Sequence, residues 1–174
     1  MRFAILLIFL YAISYTSHAQ DTIYWLSKRK LTWTDFRGVP EGVSGPQAMT
    51  MSGISYGTSY GEKSFSYQVK CYFLSKTSWT RSDSLTLLNH EQGHFDISEL
   101  FARKLRKAFS EYSFNYLTAG EDLRKIYVDI LQARNEMNNL YDKETDFSRD
   151  KKQQQIWSGR LKSELDKLKD CASN

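Results

Sequence analysis

The chain has 174 residues, of which 41% are hydrophobic and 25% charged, and its formal net charge is +4. This length suits one domain with its own core and is short for two domains. Because the positive charge is small and basic residues alternate with acidic ones, the composition excludes the dense basic patches of nucleic-acid binding proteins, and we expect no nucleic-acid partner.

The first residues have the pattern of an export signal. Arg2 precedes an apolar run from Phe3 to Ile13, and the small-x-small triplet Ser17-His18-Ala19 predicts cleavage after the alanine. The run is shorter than the roughly 20 apolar residues of a membrane span, so we expect no stable membrane insertion once the signal is removed. The predicted organisation is a signal peptide over residues 1–19 and a single domain over residues 20–174, secreted or periplasmic. An uncleaved N-terminal anchor is the less favoured alternative.

The segment after residue 48 predicts a small antiparallel sheet. The chain is strand-like from Met49 to Tyr56, and apolar residues alternate with polar ones from Phe65 to Phe73, as in a half-buried strand. Glycines between the two indicate a hairpin. Cys71 continues the alternation. With Cys171, the other cysteine, it either forms a disulfide in an oxidising compartment or remains a buried thiol, and the sequence favours neither.

Helical periodicity begins after the sheet. A capping serine or aspartate at residues 82–84 predicts a helix that continues through Leu105. A second helix opens at residues 121–122, and the same apolar pattern continues as far as Leu168. A small sheet or hairpin followed by helices predicts an α+β fold.

The residues that carry chemistry lie on the first helix, in the motif His90-Glu91-Gln92-Gly93-His94. Two histidines four residues apart project from the same face of a helix, so both can reach one metal ion. Glu91 is then beside the ion, where it can hold a water molecule and take its proton as a general base. Once the signal is removed these are the only histidines in the chain, and an unpaired pair would be costly to bury. The motif therefore predicts a zinc site that hydrolyses amide bonds in a peptide or protein substrate.

Gly93 is an unusual residue inside a predicted helix, because glycine costs about 1 kcal/mol there relative to alanine. Either a neighbouring strand or substrate backbone comes close to the helix that carries His90 and His94 at this point, or the core is packed tightly around the glycine. The sequence does not separate these two explanations.

The third metal ligand has to be a carboxylate, because a catalytic zinc ion takes three protein ligands and no third histidine is present. Asp96 and Glu99 are rotated about 200° and about 140° from His94 around the helix, so we expect the ligand on another helix. On the second helix, the phase of the apolar stripe places Glu144 within the apolar arc and Asp142 on its flank. Helical geometry therefore slightly favours Glu144.

Four motifs occur in a fixed order along the chain. They are Leu31-Thr32-Trp33-x-Asp35-Phe36-x-Gly38-x-Pro40, His90-Glu91-Gln92-Gly93-His94-Phe95-Asp96-Ile97, Tyr141-Asp142-x-x-Thr145 and Gln155-x-Trp157. In these motifs the chain resembles the bacterial secreted family named domain of unknown function 922, which is regarded as a family of zinc-dependent proteases. The resemblance covers nearly all of the chain after the signal, and it implies a periplasmic or extracellular zincin-like protein.

The resemblance favours Asp142 over Glu144 as the third ligand, because Asp142 belongs to the shared motif. We therefore predict that His90, His94 and Asp142 bind zinc and that Glu91 is the general base. Tyr141 is a candidate hydrogen-bond donor to the developing oxyanion.

The chain departs from the family pattern at one position. In that pattern a histidine follows Thr145 by two positions, where this chain has Phe147. A zinc-dependent peptidase is the leading function. The main alternative is a degenerate zincin-like envelope or binding protein that keeps the fold, with or without the metal, and lacks protease activity. A metal-dependent hydrolase acting on another substrate is a third.

Overall fold

The structure, a computed structural model, describes residues 21–40 and 42–173, so the predicted signal peptide lies outside the described residues. Strands occupy the first half of the described chain and helices the second, which confirms the predicted α+β class. The elements are β1 Thr22–Tyr24, β2 Ala48–Met49, β3 Ser52–Tyr60, β4 Phe65–Leu74, β5 Trp79–Thr80, α1 Leu85–Glu111, α2 Ala119–Glu144 and α3 Lys151–Lys167, with 3-10 turns at Trp33–Asp35 and Lys169–Cys171.

The strands form a three-stranded antiparallel sheet in the order β1-β4-β3 and a separate two-stranded ribbon of β2 and β5. The predicted hairpin corresponds to β3 and β4, whose register pairs Ile54 with Cys71 and Tyr56 with Val69. Because successive side chains of a strand point to opposite faces, the apolar residues of β4 share one face. Val69, Cys71 and Phe73 are accordingly buried, and this face packs on α1.

Helix α1 is the central element, since it packs against the sheet and against both other helices. It begins after Ser84, one of the predicted capping residues, whose hydroxyl accepts a hydrogen bond from the Leu87 amide at 3.4 Å. Its apolar stripe is buried through Ile97, Leu105 and Phe109. No helix in the described part of the chain has the length and apolar character that crossing a membrane requires.

A buried ionic group connects α1 to the sheet and to the C-terminal turn. Glu99 Oε1 accepts hydrogen bonds of 3.0 Å from both Arg103 and Arg106, and Arg106 also donates to the carbonyl oxygen of Cys171 at 3.0 Å. Cys71 and Cys171 are both free thiols, so the structure has the thiol alternative and no disulfide between them. Burial raises the pKa of the Cys71 thiol, which makes this thiol unreactive near neutral pH.

The continuous helical pattern expected at the C-terminal end is divided into two helices. Between α2 and α3, Asp146, Phe147 and Ser148 have φ angles of 49°, 52° and 75°. Residues other than glycine rarely adopt this left-handed backbone. The turn therefore lacks the glycine or proline that would have revealed it in the sequence. It reverses the chain so that α3, like α2, packs against α1.

Candidate metal centre

Two histidines of α1 and one aspartate of α2 converge at the contact between these helices. The Nε2 atoms of His90 and His94 lie 3.1 and 3.0 Å from Asp142 Oδ1, and the three residues offer ligand atoms within 4.8 Å of one another. In a tetrahedral zinc site with bonds of about 2.1 Å, neighbouring ligand atoms are about 3.4 Å apart. The two distances to Asp142 are close to this spacing, so this group could bind a metal ion.

Two amide side chains orient the imidazole rings from behind. Nδ1 of His90 lies 3.1 Å from Gln154 Oε1 on α3, and Nδ1 of His94 lies 2.8 Å from Asn138 Oδ1 on α2. Since an amide oxygen only accepts hydrogen bonds, each contact fits a ring that carries its proton on Nδ1. Each Nε2 atom then faces Asp142, to which it donates a hydrogen bond when protonated, and its lone pair would face a metal ion once that proton is displaced. This is the tautomer that a metal ligand needs, held by the kind of outer contact that metal-binding histidines usually have.

The charges of the cluster stabilise an ionised aspartate. Burial raises the pKa of the Asp142 carboxyl, but the hydrogen bonds from His90 and His94 outweigh burial and hold this pKa well below its usual range. Burial lowers the pKa of His94, but its hydrogen bond to Asp142 and the nearby charges of Asp142 and Glu91 reverse the effect and leave the pKa raised. Asp142 is therefore an anion near neutral pH, whereas a proton competes with a metal ion for His94.

Tyr141 lies behind His90, with the two rings stacked at a centroid distance of 4.6 Å. Its hydroxyl donates to the carbonyl oxygen of His90 at 3.2 Å and accepts from Gln154 Nε2 at 2.6 Å. The ring is fully buried, and burial raises the pKa of the hydroxyl. The hydroxyl is thus directed to the main chain of α1. This position disfavours the predicted role of Tyr141 as an oxyanion donor and indicates that it positions His90.

Gly93 makes this packing possible. A Cβ atom at Gly93 would overlap the Tyr141 hydroxyl and would lie 2.6 Å from Cζ of the same ring. The glycine therefore lets α2 approach α1 closely enough for Asp142 to meet the two histidines. Of the two explanations that the sequence left open, the structure shows tight core packing.

The cluster opens onto a cleft of about 750 Å³, which is lined by the three candidate ligands together with Glu91. Glu91 is buried, at 4% exposure. Its carboxylate forms no hydrogen bond or ion pair with another side chain in the described part of the chain. Phe147 also lines the cleft and is 60% exposed. The carboxylate beside the candidate ligands is therefore available to a water molecule.

The other carboxylates considered as ligands are engaged elsewhere. Glu144 Oε2 accepts a hydrogen bond from Trp157 Nε1 at 2.7 Å. Asp96 accepts one from Trp25 Nε1 at 2.7 Å, and Glu99 belongs to the buried ionic group. The expectation that Asp96 and Glu99 face away from the metal agrees with these contacts.

The motif at residues 31–40 is attached to α1 through Gln92, which does not line the cleft. The Leu31 amide donates to Gln92 Oε1 at 2.8 Å, and Gln92 Nε2 in turn donates to Asp96 Oδ1 at 2.8 Å. Asp35 closes a short turn by accepting from the Thr32 amide at 2.8 Å. Gln92, the middle residue of the motif His90-Glu91-Gln92-Gly93-His94, thus holds this loop against α1.

The part of the chain that holds the cluster is similar to a known family. Residues 74–149 match the family model described as "Bacterial protein of unknown function (DUF922)". No curated protein and no solved structure matches the chain. The DUF922 segment includes all three candidate ligands and Glu91, whereas the motifs at residues 31–40 and 155–157 lie outside it. The similarity found is therefore shorter than the resemblance predicted, and the family description names no activity.

Sequence reasoning did not single out the two amides that orient the histidines. Asn138, in the DUF922 segment, precedes Asp142 by four residues, so a search along that helix face from the aspartate would have found it. Gln154 adjoins the motif Gln155-x-Trp157. In the structure Gln155 is exposed, and the preceding glutamine is the one that contacts His90.

Proposed function

We propose that the protein is a zinc-dependent peptidase in which His90, His94 and Asp142 hold the metal and Glu91 is the general base. The main support is the convergence of two Nε2 atoms on one Oδ1 atom at 3.1 and 3.0 Å. Catalytic zinc ions take three protein ligands of these types and keep a fourth position open. Magnesium and calcium prefer sites made entirely of oxygen ligands, so two imidazoles favour zinc over either of them.

A zinc ion in this site would lower the pKa of a coordinated water toward ~7 and would polarise the carbonyl group of an amide. Glu91 lines the same cleft as the candidate ligands. Its carboxylate would take the proton of the attacking water and pass it to the leaving amine. Asp142 contributes a negative charge to the ligand set, while Gln154 and Asn138 keep both imidazoles in the ligand tautomer.

The proposed substrate is a peptide or a protein, because the cleft beside the cluster has a volume of about 750 Å³, which is in the range of ligand sites. The proposed location is the periplasm or the cell exterior. That location rests on the sequence pattern of residues 1–19 alone.

A second candidate is a zincin-like binding or envelope protein without protease activity. Phe147 favours it, because this residue stands where the family pattern has a histidine and lines the cleft. A phenyl ring neither binds a metal ion nor donates a hydrogen bond to a reacting carbonyl group. If the chemistry requires that histidine, the protein binds a metal ion and a peptide without cleaving it.

The test is cleavage of casein by the purified mature protein with and without a chelator, and by Glu91→Gln. A peptidase should lose activity on chelation and should regain it when zinc is added. Glu91→Gln should bind zinc normally but cleave at least ~100-fold more slowly. Glu144→Gln is the matched control, because Glu144 lies two residues from Asp142 on α2 but accepts a hydrogen bond from Trp157. This variant should keep wild-type activity.

The possible failures of this test point to different conclusions. One bound zinc ion without cleavage of any substrate would support the binding protein. Wild-type activity in Glu91→Gln would show that Glu91 is not the general base.

A further inference from the structure

A polar pocket of about 430 Å³ adjoins the candidate metal centre. Thr50 and His94 line both this pocket and the cleft, so the two spaces meet at the metal helix. No carboxylate lines the pocket within the described part of the chain. Its other lining residues are an arginine and uncharged polar side chains, namely Ser52, Arg134, Asn135, Asn138 and Asn139.

Arg134 is fixed in this pocket, but its charge is not balanced. One Nη atom donates to the carbonyl oxygen of Ser52 at 3.0 Å, whereas Nε is buried and has no hydrogen-bond partner. No aspartate or glutamate among the described residues forms an ion pair with it. Burial lowers the pKa of this guanidinium, although an arginine remains charged at neutral pH. A partly buried cation without a counter-ion is unfavourable, so an anion from outside the protein would stabilise it.

The metal centre does not supply the missing negative charge. The two positive charges of a zinc ion would be balanced by the carboxylates of Asp142 and Glu91, which face the same cleft. The positive charge of Arg134 is then left over next to the site. The excess charge in this region favours a substrate that carries an anionic group.

The position of Arg134 on α2 limits where that anionic group can be. Arg134, Asn138 and Asp142 follow one another at four-residue intervals along one face, so the arginine is about 12 Å from the aspartate along the helix axis. An extended peptide rises about 3.3 Å per residue, so this span corresponds to roughly three or four residues. The anion therefore belongs to a residue a few positions from the bond at the metal.

We propose that this pocket binds a carboxylate of the substrate through Arg134, and that it gives the peptidase a preference for peptides with a carboxylate a few residues from the cleaved bond. The guanidinium donates to the carboxylate oxygens, and the amides of Asn135 and Asn139 are further donors in the pocket. The carboxylate is either the C-terminus of a peptide or an acidic side chain. The preference rests on the proposed function, whereas binding in the pocket is measurable without catalysis.

The test is equilibrium binding of three acetylated tetrapeptides, measured by NMR or calorimetry. Each peptide is titrated into zinc-loaded Glu91→Gln and into metal-free wild-type protein. The first is tetra-alanine with a free C-terminus, the second is its C-terminal amide, and the third is an amide with one aspartate. At least one charged peptide should bind about tenfold more tightly than the uncharged amide, as expected for a charge-assisted hydrogen bond. Preference for the first peptide identifies the C-terminus as the source, and preference for the third identifies a side chain.

The variants test whether Arg134 causes this difference. Arg134→Gln should remove it, and Arg134→Lys should keep part of it. Arg124→Gln is the matched control, because that arginine is exposed on the same helix, and the full difference should remain. Asn139→Asp alters an exposed lining residue and provides a second variant if Arg134→Gln unfolds, as thermal denaturation would show. The new carboxylate should pair with Arg134 and weaken binding of the charged peptide.

Equal affinities of the three peptides for the wild type, including no detectable binding of any, would overturn the proposal. So would an unchanged preference in both Arg134→Gln and Asn139→Asp. Zinc content and casein cleavage are measured separately, so a failure of the peptidase proposal is distinguishable from a failure of the anion pocket.

Discussion

Replacing Gly93 with alanine tests the packing that brings the two helices of the candidate metal centre together. In most helix positions this change stabilises a protein by about 1 kcal/mol, because alanine is the better helix former. At Gly93 the new Cβ atom would overlap the Tyr141 hydroxyl and lie 2.6 Å from Cζ. The tyrosine ring cannot easily move away, since it is fully buried between His90 and Trp157, at centroid distances of 4.6 and 5.3 Å.

The size of the effect follows from two opposing terms. Overpacking in a core costs about 1–3 kcal/mol, so Gly93→Ala should be less stable than the wild type by up to about 2 kcal/mol after the gain in helix propensity is subtracted. Gly159→Ala is the matched control, because Gly159 is an exposed helical glycine with no atom within 4 Å of its would-be Cβ. It should be more stable than the wild type by about 1 kcal/mol.

The assay is urea denaturation of both variants in chelator, which removes any stabilisation by bound metal. The two variants should differ by about 1–3 kcal/mol, or roughly 2–12 °C in melting temperature for a chain of this size. A Gly93→Ala protein as stable as Gly159→Ala would refute the reasoning, because α2 would then have room to shift without cost.

Three further predictions follow from the contacts around the site. Glu99→Gln leaves Arg103 and Arg106 buried without a counter-charge and should lower the free energy of unfolding by about 3–5 kcal/mol. Glu164→Gln, which breaks a surface pair with Lys167, should lower it by less than ~1 kcal/mol. Equal losses in the two variants would contradict the first value. Gln154→Ala removes the nearer of two oxygens beside His90 Nδ1, at 3.1 Å against 3.4 Å for the Thr145 hydroxyl. It should weaken zinc binding about 10–100-fold in a competition titration, with no change in the exposed neighbour Gln155→Ala. Because the pKa of His94 is raised above 6.5 in the metal-free protein, zinc affinity should fall as the pH drops through that raised value, by roughly tenfold per pH unit for one displaced proton. The stability that His94 gives the metal-free protein depends on pH in the opposite direction. This stability is complete below pH 6.5 and is lost as the pH rises through the raised pKa. Zinc affinity that is constant from about pH 8 to about pH 5 would contradict this.

The parts of the site predicted from the sequence are those fixed by local geometry. His90 and His94 share a face because the pitch of one helix places them there, and the predicted cap at Ser84 starts that helix. The choice of Asp142 as the third candidate ligand required more than local geometry. Helical phase alone slightly favoured Glu144, but phase is unreliable within a few residues of a helix end. The resemblance favoured Asp142, and this is the carboxylate that lies against both histidines in the structure.

The remaining features depend on contacts between elements. Gln154 reaches His90 only because the chain reverses after α2 and α3 packs against α1. The turn that reverses the chain consists of left-handed residues without a glycine. Arg134 is one of many charged residues in the sequence, and nothing local shows that it lacks a partner. Its unbalanced charge becomes visible only when β3 and α2 are placed side by side.

The most direct test of the proposed metal centre is the zinc content and zinc affinity of Asp142→Ala compared with Glu144→Ala. The first variant removes one of the three proposed ligands, and the second removes a carboxylate that accepts a hydrogen bond from Trp157 Nε1 at 2.7 Å. The wild type and Glu144→Ala should each carry about one zinc ion per chain, and Asp142→Ala should lose it on dialysis. Wild-type zinc affinity in Asp142→Ala would show that the third ligand is another residue, and zinc loss in Glu144→Ala alone would identify that residue as Glu144.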